Sequence, residues 1–357
     1  MSGRRKTRQP ALSADDVAYL NAQFYGAYPF EELGAQVTAN ALMLQPTDEF
    51  KQLLTHNIPV GKTHVRMDEA SDDELKMAGA FGVLSVSQHI AETLLRLLQV
   101  HAAHHECPWI ALVKLREPAA VQKIARGVLN DWVDAGGRRR PLFEVVADVC
   151  LGSELSREAM TDDQITVVDN SVVWVREAAT LASGASIYNA YKHGMGLVHQ
   201  RPLPMAVSVG ERTWVDSMDS FMSLLRPAEG REHARCDYVM DHRPVDAARR
   251  VSGSIAMLLL IESTLAHGAN ERGVGTRAKP KSIAASFTPQ LGAAKPASPF
   301  EIVRDVDEFG GPPALAMKRP SRDIMKVLIR RRPEAMDDPN AEGNVTIHVD
   351  PEASRLR

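Results

Sequence analysis

Residues Ser71 to Glu106 read "SDDELKMAGAFGVLSVSQHIAETLLRLLQVHAAHHE", and no proline follows until Pro108. Ser71 ahead of Asp72, Asp73 and Glu74 has the composition of an N-cap and an acidic first turn, where side-chain oxygens satisfy orphan backbone N–H groups and complement the helix dipole. The run therefore predicts one long helix. Projected at about 100° per residue, Val83, Ile90, Leu94, Leu97 and Leu98 gather on one side with His101 among them. Ser85, His89, Glu92, Arg96 and Gln99 form a polar stripe on the other. Glu92 and Arg96 stand at i,i+4, a pair worth only tenths of a kcal/mol when solvated.

Working outward, Ser13 with Asp15 and Asp16 starts an earlier helix behind a basic tail of residues 1–12, expected to be disordered. Residues 30–57 predict one or two helices broken at Pro46 and restarted by Thr47. "AAVQKIARGVLNDWV", Ala119 to Val133, predicts a shorter helix closed by the hinge or surface patch "DAGGRRRP". Thr161 and Gln164 have capping-box spacing and open a second long helix expected to run to Gly194. From about 204 to 241 the period becomes β-like, which predicts a small antiparallel meander. Pro244 then opens an apolar third helix with Gly268 as its expected C-cap. The fold class is thus mainly α: a helical bundle with two long antiparallel helices plus a small antiparallel β meander, its ordered part spanning 13–268. Residues 269–357 have the composition of a flexible linker and a basic C-terminal tail, in which Ser321 caps a short helix carrying Lys326, Arg330 and Arg331.

Composition limits the function. The 357 residues are 44% hydrophobic and 24% charged, the balance of a globular chain, and a formal net charge of -3 confines any nucleic-acid binding to a local patch. Cys107, Cys150 and Cys236 are widely spaced and odd in number, which fits reduced thiols in the cytoplasm. No run of about 18 uncharged apolar residues predicts a membrane span. His101 and His105 have the helical spacing at which two imidazoles can share a metal, and equally the placement of histidines that bind terminal carbonyls, so no metal or cofactor is assigned.

One further segment, "SIYNAYKHGMG" from Ser186 to Gly196, crowds Tyr188, Asn189, Tyr191, Lys192 and His193 ahead of a glycine. "YNAYKHG" resembles the terminal motif of the HEPN superfamily, all-α proteins of nucleotide and RNA metabolism and of bacterial defence. That motif is an arginine, a polar residue often Asn, three variable residues and a histidine. Asn189 and His193 match it; Tyr188 stands where the arginine belongs. The resemblance covers about seven residues and implies a homodimer that binds RNA or a nucleotide. In an active endoribonuclease of this kind His193 would move protons at a ribose 2′-hydroxyl without a metal, and arginine would stabilise phosphoryl charge. Tyr188 carries no positive charge, so Arg96 or Lys192 would have to supply it. The expected catalytic residues are His193, Asn189 and Arg96, and the expected binding residues are Lys192, Tyr188, Tyr191, Glu92 and His89. Three readings remain open: a binding protein with a degenerate motif, an active ribonuclease, and a scaffold whose segment 188–193 is an ordinary helix terminus.

Overall fold

The computed structural model describes residues 12–28, 30–56, 58–65, 70–153, 155–184, 197–200, 203–209, 212–218, 221–227, 238–244, 247–276, 278 and 325–329. Among them the chain is mainly α, with short antiparallel strands. Helices α1 (Ala14–Ala27), α2 (Phe30–Leu44) and α3 (Asp48–Thr55) precede a two-stranded hairpin of β1 (Ile58–Val60) and β2 (Thr63–Val65). The long helix α4 (Asp72–Ala102) follows, then α5 (Pro108–Lys114), α6 (Pro118–Leu129), β3 (Trp132–Ala135), β4 (Arg138–Pro141), α7 (Leu142–Val145) and α8 (Asp162–Ser183). Strands β5 (Leu197–Gln200), β6 (Leu203–Val209), β7 (Arg212–Met218), β8 (Phe221–Pro227) and β9 (Tyr238–Pro244) lead to α9 (Ala247–Glu271), and β10 (Met325–Ile329) comes last.

Helix starts follow the side-chain signals in the sequence. Ser71 N donates to Glu74 Oε2 at 2.8 Å and Glu74 N to Ser71 Oγ at 3.3 Å, so two orphan donors are satisfied reciprocally at the head of α4. Ser13 with Asp16 does the same for α1, and Thr161 with Gln164 for α8. Prolines Pro108 and Pro118 occupy the first positions of α5 and α6, where a missing N–H costs nothing.

The described chain forms two compact units. One contains α1, the C-terminal part of α4 from Val86, the elements from α5 to α8, and α9 from Arg250 onward. Its core is built on α9, whose Ala256, Met257, Leu260, Ile261 and Leu265 are at most 1% exposed. Ile90, Leu94, Leu97 and Leu98 of α4 are fully buried in the same unit, as are Val175, Ala178 and Ala179 of α8. Two glycines let neighbours approach α9. A Cβ on Gly253 would stand 3.2 Å from the Trp174 ring of α8, and one on Gly268 only 2.5 Å from His101 Nε2 and 2.7 Å from the Tyr25 hydroxyl. At that second point three helices meet. The Tyr25 hydroxyl lies 2.9 Å from His101 Nε2, and His101 Nδ1 lies 2.8 Å from Leu97 O. A carbonyl only accepts, so Nδ1 carries the proton and Nε2 accepts from tyrosine. Asn21 ties α1 to Glu106 O at 2.8 Å, and Thr276 Oγ1 donates to Tyr25 O at 3.0 Å.

The second unit holds α3, the first hairpin, the N-terminal part of α4 and the remaining strands. Within it, Gly79 of α4 brings Asn40 O and Met43 Cβ of α2 to about 3 Å of where its own Cβ would be. The strands do not form one continuous meander. β6 and β7 pair only with each other, whereas β8 lies between β5 and β9, and β9 also pairs antiparallel with β10, with Met325 opposite His242. Met325–Ile329 therefore forms a strand where a short basic helix was expected. Val327 and Ile329 are β-branched, and β9 offers them an open edge.

Other boundaries are also corrected. Pro244 ends β9, and α9 starts three residues later at Ala247. Gly268 is not a cap but a crossing point inside the last turn of α9. The helix ends instead at Gly273, whose φ of 62° is left-handed, with Val274 N bonded to Ala269 O and Gly273 N to Asn270 O, both at 3.1 Å. The folded unit thus passes the expected limit at 268 and includes Ala278, which is 5% exposed. Helix α8 closes at Gly184, whose N–H bonds Thr180 O and Leu181 O, rather than at Gly194. Length and composition would let α9 cross a membrane, but 67% of its apolar window is buried inside the protein, as in a core helix.

Two stability tests follow from the three-helix crossing. Gly268→Ala inserts a methyl where His101 and Tyr25 already sit, and overpacking of this kind costs about 1–3 kcal/mol; urea denaturation should show that loss, whereas Gly26→Ala, with open space around it, should not. Burial, reinforced by Arg272 and His104, holds the His101 imidazole down from 6.5 to about 4. Above pH 6.5 it is neutral in both states. Between pH 6.5 and about 4 the unfolded chain takes up a proton that the native site refuses, so His101 should remove stability as pH falls, up to about 3 kcal/mol. Urea titrations at pH 7 and pH 5 should show the stability gap between wild type and His101→Asn narrowing in acid.

Candidate functional site

Helix α4 is buried nearly all round from Val86 onward, because Ser87, Gln88, Ala91, Thr93 and Leu95 lie in the core along with the expected apolar face. The polar stripe is therefore one row of side chains rather than a broad solvated face. In that row His89 is exposed, while Ser85, Glu92, Arg96 and Gln99 are half-buried. The i,i+4 pair forms as spaced: Arg96 Nη2 donates to Glu92 Oε2 at 3.2 Å, and Gln88 Nε2 donates to Glu92 Oε1 at 3.4 Å. Arg96 Nε is buried without a hydrogen-bond partner. Nearby, burial pushes the Tyr28 phenol up to about 12, although its hydrogen bond with Thr93 and the Arg96 charge pull the other way. The structure thus unites Arg96 with Glu92, and leaves His89 outside that pair.

The other half of the expected site, Tyr188, Asn189, Tyr191, Lys192 and His193, lies outside the described residues. Cys236 does too. Of the histidines at the end of α4, His101 serves the fold. Both ring nitrogens of His101 are engaged within the protein, and His105 is exposed. Among the described residues no three His, Cys, Asp or Glu side chains are grouped to hold a metal ion. Cys107 and Cys150 are buried free thiols; burial raises Cys150 to about 12, and Thr264 Oγ1 donates to its sulfur at 3.4 Å, so it is an inert core group.

A feature that the sequence reading missed adjoins the stripe. The expected helix over 119–133 stops at Leu129, Asp131 adopts a left-handed φ of 62°, and the chain turns into the hairpin β3–β4. Ala135 pairs with Arg138 across Gly136 and Gly137, whose φ values of 65° and 90° suit a tight two-residue hairpin turn. The signal was present in "DAGG" after the strand formers Trp132 and Val133, but Val128 and Val133 also extend a helical period. Asp134 accepts from Gly137 N at 2.9 Å, and Gln99, the last residue of the stripe, donates to Asp134 O. Between the end of α4, α6 and this hairpin lies a cavity of about 260 Å³, lined by Gln99, Leu115, Ala120, Lys123, Ile124 and Trp132 among others.

Charge around the cavity is uneven. Lys123 pairs with Asp134 at 3.6 Å, Arg140 with Asp148 at 2.9 Å, and Arg176 with Asp131. Arg139 stacks over the Trp132 ring at 4.4 Å and, like Arg138, is exposed. Neither has a carboxylate partner among the described residues. The chain matches no family model, no curated protein and no solved structure in the corresponding comparisons.

Proposed function

We propose that this chain is a HEPN-like helical protein that binds RNA or a nucleotide, with Arg96 of α4 as one contact, as a cytoplasmic homodimer. The observation that carries the reading is the state of Arg96. Its side chain keeps 26% of its surface exposed, and Nη2 is anchored to Glu92 Oε2 at 3.2 Å, so a solvent-accessible cation is held in place. A partly exposed guanidinium held in place by a carboxylate is suited to a phosphate, which accepts several hydrogen bonds in fixed geometry. The polar match of Asn189 and His193 to the superfamily motif supports the same assignment. Tyr188 in place of arginine favours binding over cleavage, since a neutral phenol does not stabilise developing phosphoryl charge.

Binding of a fluorescent single-stranded oligoribonucleotide tests this reading. Arg96→Gln and Lys192→Ala should each weaken binding about tenfold and make its salt dependence shallower by about 0.7 in log–log slope, the contribution of one phosphate contact on a single strand. Purified protein should leave the RNA intact. Cleavage abolished by His193→Ala with unchanged thermal stability would assign catalysis instead, and wild-type protein without RNA affinity would leave a scaffold.

A further inference from the structure

Resting on the RNA-binding reading, we propose that the cavity beneath the β3–β4 hairpin takes an unpaired base of a single-stranded nucleic acid, with Arg138 and Arg139 holding the phosphates on either side. The cavity of about 260 Å³ falls just below the roughly 300–1,000 Å³ typical of drug-sized ligands, which suits one planar heterocycle. Its walls are apolar at Leu115, Ala120 and Ile124, and its polar groups, the Gln99 amide and the Asp134 and Lys123 pair, are of the kinds that meet base edges. Trp132 supplies an aromatic wall, and the Arg139 guanidinium stacked on it extends a flat surface toward solvent.

The charge pattern names the polymer. Around the recess Asp131, Asp134, Asp148 and Glu117 are paired with Arg176, Lys123, Arg140 and Arg116 respectively. Arg138 and Arg139 are exposed and without a carboxylate partner among the described residues, on the hairpin whose turn glycines Gly136 and Gly137 line the cavity. This combination of a basic rim and an aromatic-walled recess is how proteins hold single strands, whose bases are free to leave the stack, whereas a duplex keeps its bases inside. This positive charge is local, so it coexists with a net charge of -3 for the whole chain.

Fluorescence anisotropy with a labelled oligoribonucleotide of about a dozen nucleotides, within the usual span of such sites, tests the proposal. The double variant Arg138→Glu with Arg139→Glu changes two exposed side chains; it should bind at least tenfold more weakly, with a salt slope shallower by about 1.4 for two lost phosphate contacts. Ala120→Phe, which fills the recess, should weaken binding about tenfold at unchanged slope, with circular dichroism reporting an intact fold. If both variants bind like wild type while Arg96→Gln does not, the recess is not the base site and the Arg96 reading stands alone. If duplex RNA binds as tightly as the single strand, or adenosine monophosphate competes at equal concentration, the single-strand assignment is overturned. If wild-type protein binds none of these probes, both readings fail together.

Discussion

Much of the helical unit depends on one close crossing, where the Tyr25 hydroxyl donates to His101 Nε2 against Gly268. A buried imidazole is tolerable only if both nitrogens are satisfied, because an unpaired buried polar group costs about 1–3 kcal/mol. His101 meets that demand by giving its one proton to Leu97 O and taking another from Tyr25. Three elements far apart in sequence are thereby fixed at one point. A Cβ at 268 would break it, and so would a proton on Nε2.

From this crossing the surface follows. With α9 and α1 against it, α4 has little side surface left over, so its polar residues are confined to one narrow row. Arg96 is held in that row by Glu92, and Gln99 at its end joins the backbone of the β3–β4 hairpin. The last turns of α4 thus link a partly open arginine, the wall of a recess and a buried anchor, Arg96, Gln99 and His101, within about two helical turns. Rigid placement of cationic groups on core elements lowers the ordering cost of binding a flexible strand. The Asp131 backbone and the Gly136–Gly137 turn perform the same service for Arg138 and Arg139.

What the sequence made legible was whatever depends on local side-chain chemistry. The helix start at Ser13, the capping box at Thr161, the course of α4 and the Glu92–Arg96 pair all depend on nearby residues, and all were readable. Gly268 was misread because a glycine near the end of an apolar run looks alike whether it needs a left-handed φ or merely the absence of a Cβ; only the positions of His101 and Tyr25 distinguish the cases. Periodicity alone did not show how narrow the polar row is, because Ser87, Gln88 and Thr93 beside it are buried despite their polarity. The strand at Met325–Ile329 was hidden for a different reason: its hydrogen-bond partner, β9, lies more than eighty residues earlier. The motif residues Tyr188 to His193 lie outside the described residues, so that part of the site rests on the sequence alone.

Amide hydrogen–deuterium exchange, with and without a saturating single-stranded oligoribonucleotide, tests the central claim most directly: that the end of α4 and the adjoining hairpin form an RNA-binding face on a rigid core. Bound RNA should slow exchange across Trp132–Pro141 and the last turns of α4, while the already protected centre of α9 stays unchanged. Protection confined to other segments, with the hairpin exchanging as fast as in the free protein, would contradict it.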